Sequence, residues 1–144
     1  SHKHVIMSIE ANAQEILEDF DLFDDWADKY EYIISLGKEL EDMPEELKVE
    51  ENLVKGCQSR VWLDAKQDGE KVVFVADSDA VISKGIIALL VKVLSNQTAA
   101  EIAANDFSFI DKIGLKEHLS PNRSNGLVGM MKQMKTYAMA YGSK

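Results

Sequence analysis

Ser59-Arg60-Val61-Trp62-Leu63-Asp64-Ala65-Lys66-Gln67-Asp68-Gly69-Glu70-Lys71-Val72-Val73-Phe74-Val75-Ala76 is the stretch that decides the fold. In its first half the side chains alternate. Ser59, Val61, Leu63 and Ala65 share one face; Arg60, Trp62, Asp64 and Lys66 share the other. A period of two is that of a half-buried strand. Gln67-Asp68-Gly69-Glu70 carries an Asp-Gly turn signal, and the valine-rich residues 71–76 supply a returning strand. Residues 53–55 add a candidate third strand at the hairpin's edge. A hairpin alone is marginal in water, so helices must cover one of its faces.

Those helices are legible on both sides. Ile9, Ala13, Ile16, Leu17 and Phe20 recur at helical spacing, opposite Glu10, Glu15, Glu18 and Asp19. Phe23, Trp26, Tyr30, Ile33 and Gly37 form a second stripe, with Asp24 or Asp25 as its cap and Gly37 as its stop. A helical turn is expected at Pro44. Beyond the hairpin, Asp77, Ser78 and Asp79 are candidate caps for a helix over 80–94 that is apolar almost all round, the spine of a core. Gly85 inside it predicts a close approach to the sheet. Thr98 to Glu101 is a capping box, and the apolar residues 107–115 form a partly helical connector. Ser120-Pro121 opens a last helix with the stripe Leu127, Met130, Met131, Met134, Tyr137, Ala138 and Tyr141. The expected architecture is α+β: a small antiparallel sheet of about three strands with helices packed mainly on one face.

Length and charge limit the rest. The 144 residues suit one domain, placed at 7–144, with 1–6 read as a segment of non-native origin or a disordered end. No apolar run approaches a membrane span, and no signal peptide is recognisable. A net charge of −9 disfavours nucleic acid and anionic membranes as partners. The acidic residues 39–51 read as a solvated face. A single cysteine permits no internal disulfide and no thiolate metal cluster within one chain. The histidines show no metal-ligand spacing.

That cysteine, Cys57, is the candidate reactive group. Gly56 frees the backbone before it, and Gln58 and Ser59 offer hydrogen bonds. Lys55 and Arg60 are placed to lower its pKa. Within the folded region only His118 remains as a base, and no His–Asn/Asp partner set accompanies it. A thiol without a general base suits exchange at sulfur better than amide hydrolysis. Arg123 is the second candidate. A cation in the first turn of a helix opposes the helix dipole, so an anion beside it is expected: Asp77, Asp79 or the Cys57 sulfur. Asn125-Gly126 marks a place where another backbone approaches.

Val54-Lys55-Gly56-Cys57-Gln58-Ser59-Arg60-Val61-Trp62-Leu63 resembles the signature of the SufE family, the sulfur acceptors that partner cysteine desulfurases in iron–sulfur cluster assembly. Three further segments match in order: residues 32–38, residues 76–80 followed by Lys84-Gly85, and His118-Leu119-Ser120-Pro121-Asn122-Arg123-Ser124-Asn125-Gly126-Leu127. The resemblance implies a SufE/IscU-like fold, with Cys57 accepting a persulfide sulfur and stimulating a SufS-like desulfurase. Cys57 would then deliver the sulfur to a SufB-like scaffold. It implies that Arg123, Gly56 and Gln58 support Cys57, and that Asp77 and Asp79 lie close to the cysteine loop and tune docking. It also implies a cytoplasmic accessory protein without its own cofactor, as a monomer or homodimer. A CsdE-like acceptor serving other sulfur pathways is the alternative within the resemblance. A thiol-dependent enzyme or a module with Cys57 as packing are the alternatives outside it.

Overall fold

The computed structural model describes residues 8–142, so the expectation for residues 1–6 lies outside the described residues. The hairpin forms as its period requires. β1 (Val61–Asp68) and β2 (Lys71–Ser78) pair antiparallel, from Asp68 opposite Lys71 to Val61 opposite Ser78. Gly69 and Glu70 close it, and Gly69 has φ +62°. Positive φ at the first loop position alone is the type II′ pattern, which favours glycine there. The third strand, β3 (Gln97–Thr98), pairs with β2 on its far side. Residues 53–55 make only a bridge from Leu53 to Trp62 and a 2.8 Å bond from Val54 N–H to the Val61 carbonyl. Gly56, at φ +91°, turns the chain away before a strand can extend.

One sheet face is core: Val61, Leu63, Ala65, Val72, Phe74 and Ala76 are all buried. α1 (Ile9–Asp21) is capped by Ser8, and α2 (Trp26–Glu39) by Asp25. Both pack on α3 (Val81–Leu94), which also lies against β1 and β2. Nine of the fourteen α3 residues are buried, so α3 is the spine. Two glycine expectations are corrected. α2 runs past Gly37 to Glu39, and Gly85 meets α2 rather than the sheet. A Cβ on Gly85 would stand 2.4 Å from the Ile33 carbonyl oxygen, and one on Gly37 would stand 3.0 Å from the Gly85 nitrogen. The pair lets two helix backbones cross nearly in contact. The α3 cap is also corrected. Its N-cap is Ala80, with no side-chain bond. Asp77, Ser78 and Asp79 are engaged elsewhere, as described below.

α4 (Ala99–Ala104) opens with the Thr98–Glu101 capping box, and α5 (Ser108–Ile113) is the helical part of the connector. α6 (Pro121–Gly142) buries Leu127, Met130, Met134 and Ala138. The Ser120 hydroxyl accepts from Arg123 N–H at 3.3 Å, as a first-turn cap. Farther along α6, the Tyr137 and Tyr141 hydroxyls reach the Leu63 and Ala65 carbonyls at 3.0 and 2.8 Å. They satisfy edge carbonyls of β1 that would otherwise face solvent or another strand. No helix of the described residues is long and apolar enough to cross a membrane.

Candidate functional site

Cys57 sits on a loop pinned at both ends. On the N-terminal side, Val54 bonds to Val61, and Asn52 Nδ2 donates to the Leu47 carbonyl at 2.7 Å. The Tyr137 hydroxyl lies 3.0 Å from Asn52 Oδ1 and so ties the stem to α6. On the C-terminal side, Arg60 N–H donates to Asp79 Oδ1 at 3.1 Å, and the Ser78 hydroxyl donates to the Arg60 carbonyl at 2.8 Å. Asp79 therefore stands at the foot of the loop.

Between these pins, residues 55–59 rest on α6 where its side chains are missing. A Cβ on Gly126 would stand 3.0 Å from Cys57 Sγ, and one on Gly129 only 2.0 Å from the Lys55 carbonyl oxygen. Gly126 and Gly129 are three residues apart and face the same way on a helix. They form a seat that only glycine allows. Gly126 lies in the segment where the sequence marks a backbone approach. Gly129 was missed, although a second glycine at helical spacing was its available signal. Gly56 turns the loop down onto Asn125, whose carbonyl oxygen a Gly56 Cβ would meet at 3.3 Å.

The thiol is half-buried and lies 3.7 Å from the Gly126 carbonyl, a weak S–H donor contact. It faces a cavity of about 200 Å³ shared with Gln58, Ser83, Asn122, Arg123 and Met130. Burial pushes the Cys57 thiol above its ordinary pKa, and Lys55 and Arg60 do not offset it. The expected lowering is thus corrected: at rest this is a sheltered thiol, not a thiolate. No His, Asp or Glu lines the cavity. His118 lies elsewhere, stacked on Trp26 with 3.8 Å between ring centroids, with Nδ1 3.0 Å from the Gly114 carbonyl. Tyr30 donates a hydrogen bond to the His118 carbonyl, completing a structural contact between α2 and the approach to α6.

The structure brings Cys57, Gln58 and Arg123 to one cavity, with Gly56 beside it and Asp79 at the loop's base. It does not bring Asp77 there. Asp77 sits opposite Trp62, on the sheet face away from the core. Its carboxylate pairs with Lys48 at 2.8 Å and Lys84 at 3.4 Å. Burial alone would raise its pKa. The Lys48 hydrogen bond, the Ser78 N–H and the two lysine charges outweigh that and hold the carboxyl below its usual range. Lys48 is raised in turn, first by Asp77 and then by Glu45. No carboxylate among the described residues pairs with Arg123, so Asp77 and Asp79 are not its counter-ions.

The chain is thus an α+β domain that presents one half-buried thiol on a loop pinned at both ends. The sequence model of the SufE family, an Fe–S metabolism associated domain, matches residues 14–138, and the chain belongs to that family. A SufE-like protein of Rhizobium etli is 44% identical over 133 residues, covering 89% of this chain and 90% of its own length. One from Synechocystis is 39% identical over 130 residues, covering 90% and 82%. The Arabidopsis thaliana SufE-like protein 1, chloroplastic/mitochondrial, is 42% identical over 127 residues, which cover 88% of this chain and 34% of that longer protein. A solution structure from Thermus thermophilus, of a protein described as hypothetical, superposes with a TM-score of 0.77. It covers 92% of this chain and 97% of its own at 18% identity, a likeness of fold. The chain therefore has a place in Fe–S metabolism.

Proposed function

We propose that this protein accepts a persulfide sulfur on Cys57 from a SufS-like cysteine desulfurase, stimulates that enzyme, and delivers the sulfur to a SufB-like iron–sulfur scaffold. The observation that carries this is a lone, half-buried thiol on a loop pinned at both ends, whose cavity is lined by an arginine and by no general base. In the transfer, the Cys57 thiolate attacks the terminal sulfur of the donor persulfide. The donor S–S bond breaks, a new S–S bond forms on Cys57, and the donor cysteine leaves as a thiolate. There is no net oxidation, and the proton lost by Cys57 is balanced by the one the donor thiolate regains.

Burial shapes the sequence of events. A thiol with a raised pKa is a poor nucleophile at neutral pH, so attack follows release of the loop from α6 on docking. After transfer, the more acidic persulfide returns to the cavity, where Arg123 favours an anion that no carboxylate of the described residues supplies. Asp79 acts through the loop it anchors. Asp77 acts through Lys48 and Lys84, as a surface of the docking face. The protein thus works as an accessory of the desulfurase rather than an enzyme with its own cofactor, in the cytoplasm.

The test is desulfurase turnover with cysteine as substrate, with and without this protein. Wild type raises the rate, whereas Cys57→Ser, folded by circular dichroism, does not. Full stimulation by Cys57→Ser would show that activation is purely conformational and that Cys57 is not the acceptor.

A further inference from the structure

The charges of this chain are segregated. Residues 8–51 hold sixteen acidic residues against three lysines. Residues 52–63 and 118–144 hold no Asp or Glu, and carry Lys55, Arg60, Arg123, Lys132, Lys135 and Lys144. The cysteine loop and α6 are thus cationic elements of a molecule whose net charge is −9.

Two cavities flank the loop. One is the Cys57 cavity. The other is a groove of about 670 Å³ between the loop's stem and α6, bounded by Glu51, Lys55, Gly56, Lys132, Gln133 and Tyr137. Lys55 and Lys132 are exposed, and neither forms a salt bridge with the described residues. Glu51 is the one carboxylate on the rim. The groove's floor includes Gly129, the residue on which the Lys55 carbonyl is seated.

We infer that this groove is a docking site for an acidic segment of the partner protein that meets the cysteine loop. The proposal rests on the functional reading above, which makes that partner the sulfur donor. The complementarity is local. Two uncommitted lysines on a trough draw carboxylates to it, while the acidic helices α1 and α2 repel the same segment, so one orientation is favoured. The trough is long enough for side chains rather than a single ion, and Gln133, Thr136 and Tyr137 supply neutral hydrogen-bonding partners along it. A segment bound there touches Lys55 and Gly56 and so reaches the part of the loop that must leave α6. The Cys57 thiol lines the other cavity and not this groove, so a segment seated here leaves it open.

The experiment is isothermal titration of a purified SufS-type desulfurase with three proteins: wild type, Lys55→Glu/Lys132→Glu, and Lys66→Glu/Lys112→Glu as an equal change of charge away from the groove. Affinity is measured at low and high salt, and each protein is checked by analytical ultracentrifugation. The expected result is binding by wild type that weakens with salt, a loss of tenfold or more in the groove variant, and a smaller loss in the control. Alkylation of Cys57 in the free groove variant keeps the wild-type rate. Equal affinity of wild type and groove variant overturns the groove while leaving the acceptor reading intact. Equal losses in the groove and control variants show a net-charge effect and also overturn it. A self-association abolished only in the groove variant, with desulfurase binding unchanged, assigns the groove to the acidic face of a second copy. No binding by wild type overturns the functional reading and the groove together.

Discussion

At the scale of single residues, the governing fact is that Cys57 is half-sheltered against α6 where two side chains are absent. Gly126 leaves room for Sγ and Gly129 leaves room for the Lys55 carbonyl. In Gly129→Ala the new Cβ and that carbonyl cannot coexist at 2.0 Å, and the listener to this clash is the loop, since α6 is held along its length. Alanine also favours the helix by about 1 kcal/mol over glycine, so α6 persists. The expected outcome is a thiol lifted from shelter. Release from burial returns the thiol toward its ordinary pKa and opens it to solvent, so iodoacetamide reacts faster than with wild type at neutral pH. In wild type the rate keeps climbing with pH beyond about 8.5, the ordinary thiol value. An unchanged rate in Gly129→Ala would show that the glycine seat does not control the loop.

At the scale of elements, the hairpin, α3 and α6 were legible because their signals are periodic, and tertiary contacts agree with them. Val61, Leu63 and Ala65 alternate inward, and Leu127, Met130 and Met134 repeat along one helical face. What was not legible depends on distance across the fold. Gly37 reads locally as a stop, yet it serves the α2–α3 crossing with Gly85. Gln97–Thr98 is too short to show a period, and its pairing is fixed by β2. Cys57 was legible as the candidate reactive group, but its raised pKa was not, because burial against α6 is invisible in Lys55 and Arg60. The acidic run gives another case: Lys48 within it leaves the solvated face to pair with Asp77 across the outer sheet face. Because the folded protein favours the Asp77 carboxylate, that contribution is full above the unfolded-state pKa, near 3.9. It disappears as pH falls through the lower folded value. Asp77→Asn should therefore lower the unfolding free energy near neutral pH, measured by urea titration, by no more than about 1 kcal/mol for a partly solvated pair. The difference from wild type should vanish in strong acid. A difference that persists at the acid end would assign Asp77 a packing role instead.

At the scale of the whole molecule, the fold separates what holds the loop from what the loop carries. α3 and the inner sheet face build the core, α3 also lending Ser83 to the Cys57 cavity, and α6 contributes both a buried stripe and the glycine seat. Acidic residues are concentrated in the N-terminal third of the sequence, and the cysteine loop and α6 carry only cations. Charges so sorted act on an approaching protein before contact, with an effect that salt diminishes. In the proposed function Cys57 is the covalent acceptor of one sulfur atom. The most direct measurement is intact-protein mass spectrometry after incubation with a cysteine desulfurase, pyridoxal phosphate and sulfur-labelled cysteine. The expected result is a gain of one labelled sulfur, mapped to Cys57, removed by reductant and absent in Cys57→Ser. Labelling that persists in Cys57→Ser, or a wild-type protein that stimulates the desulfurase without ever carrying the label, would contradict it.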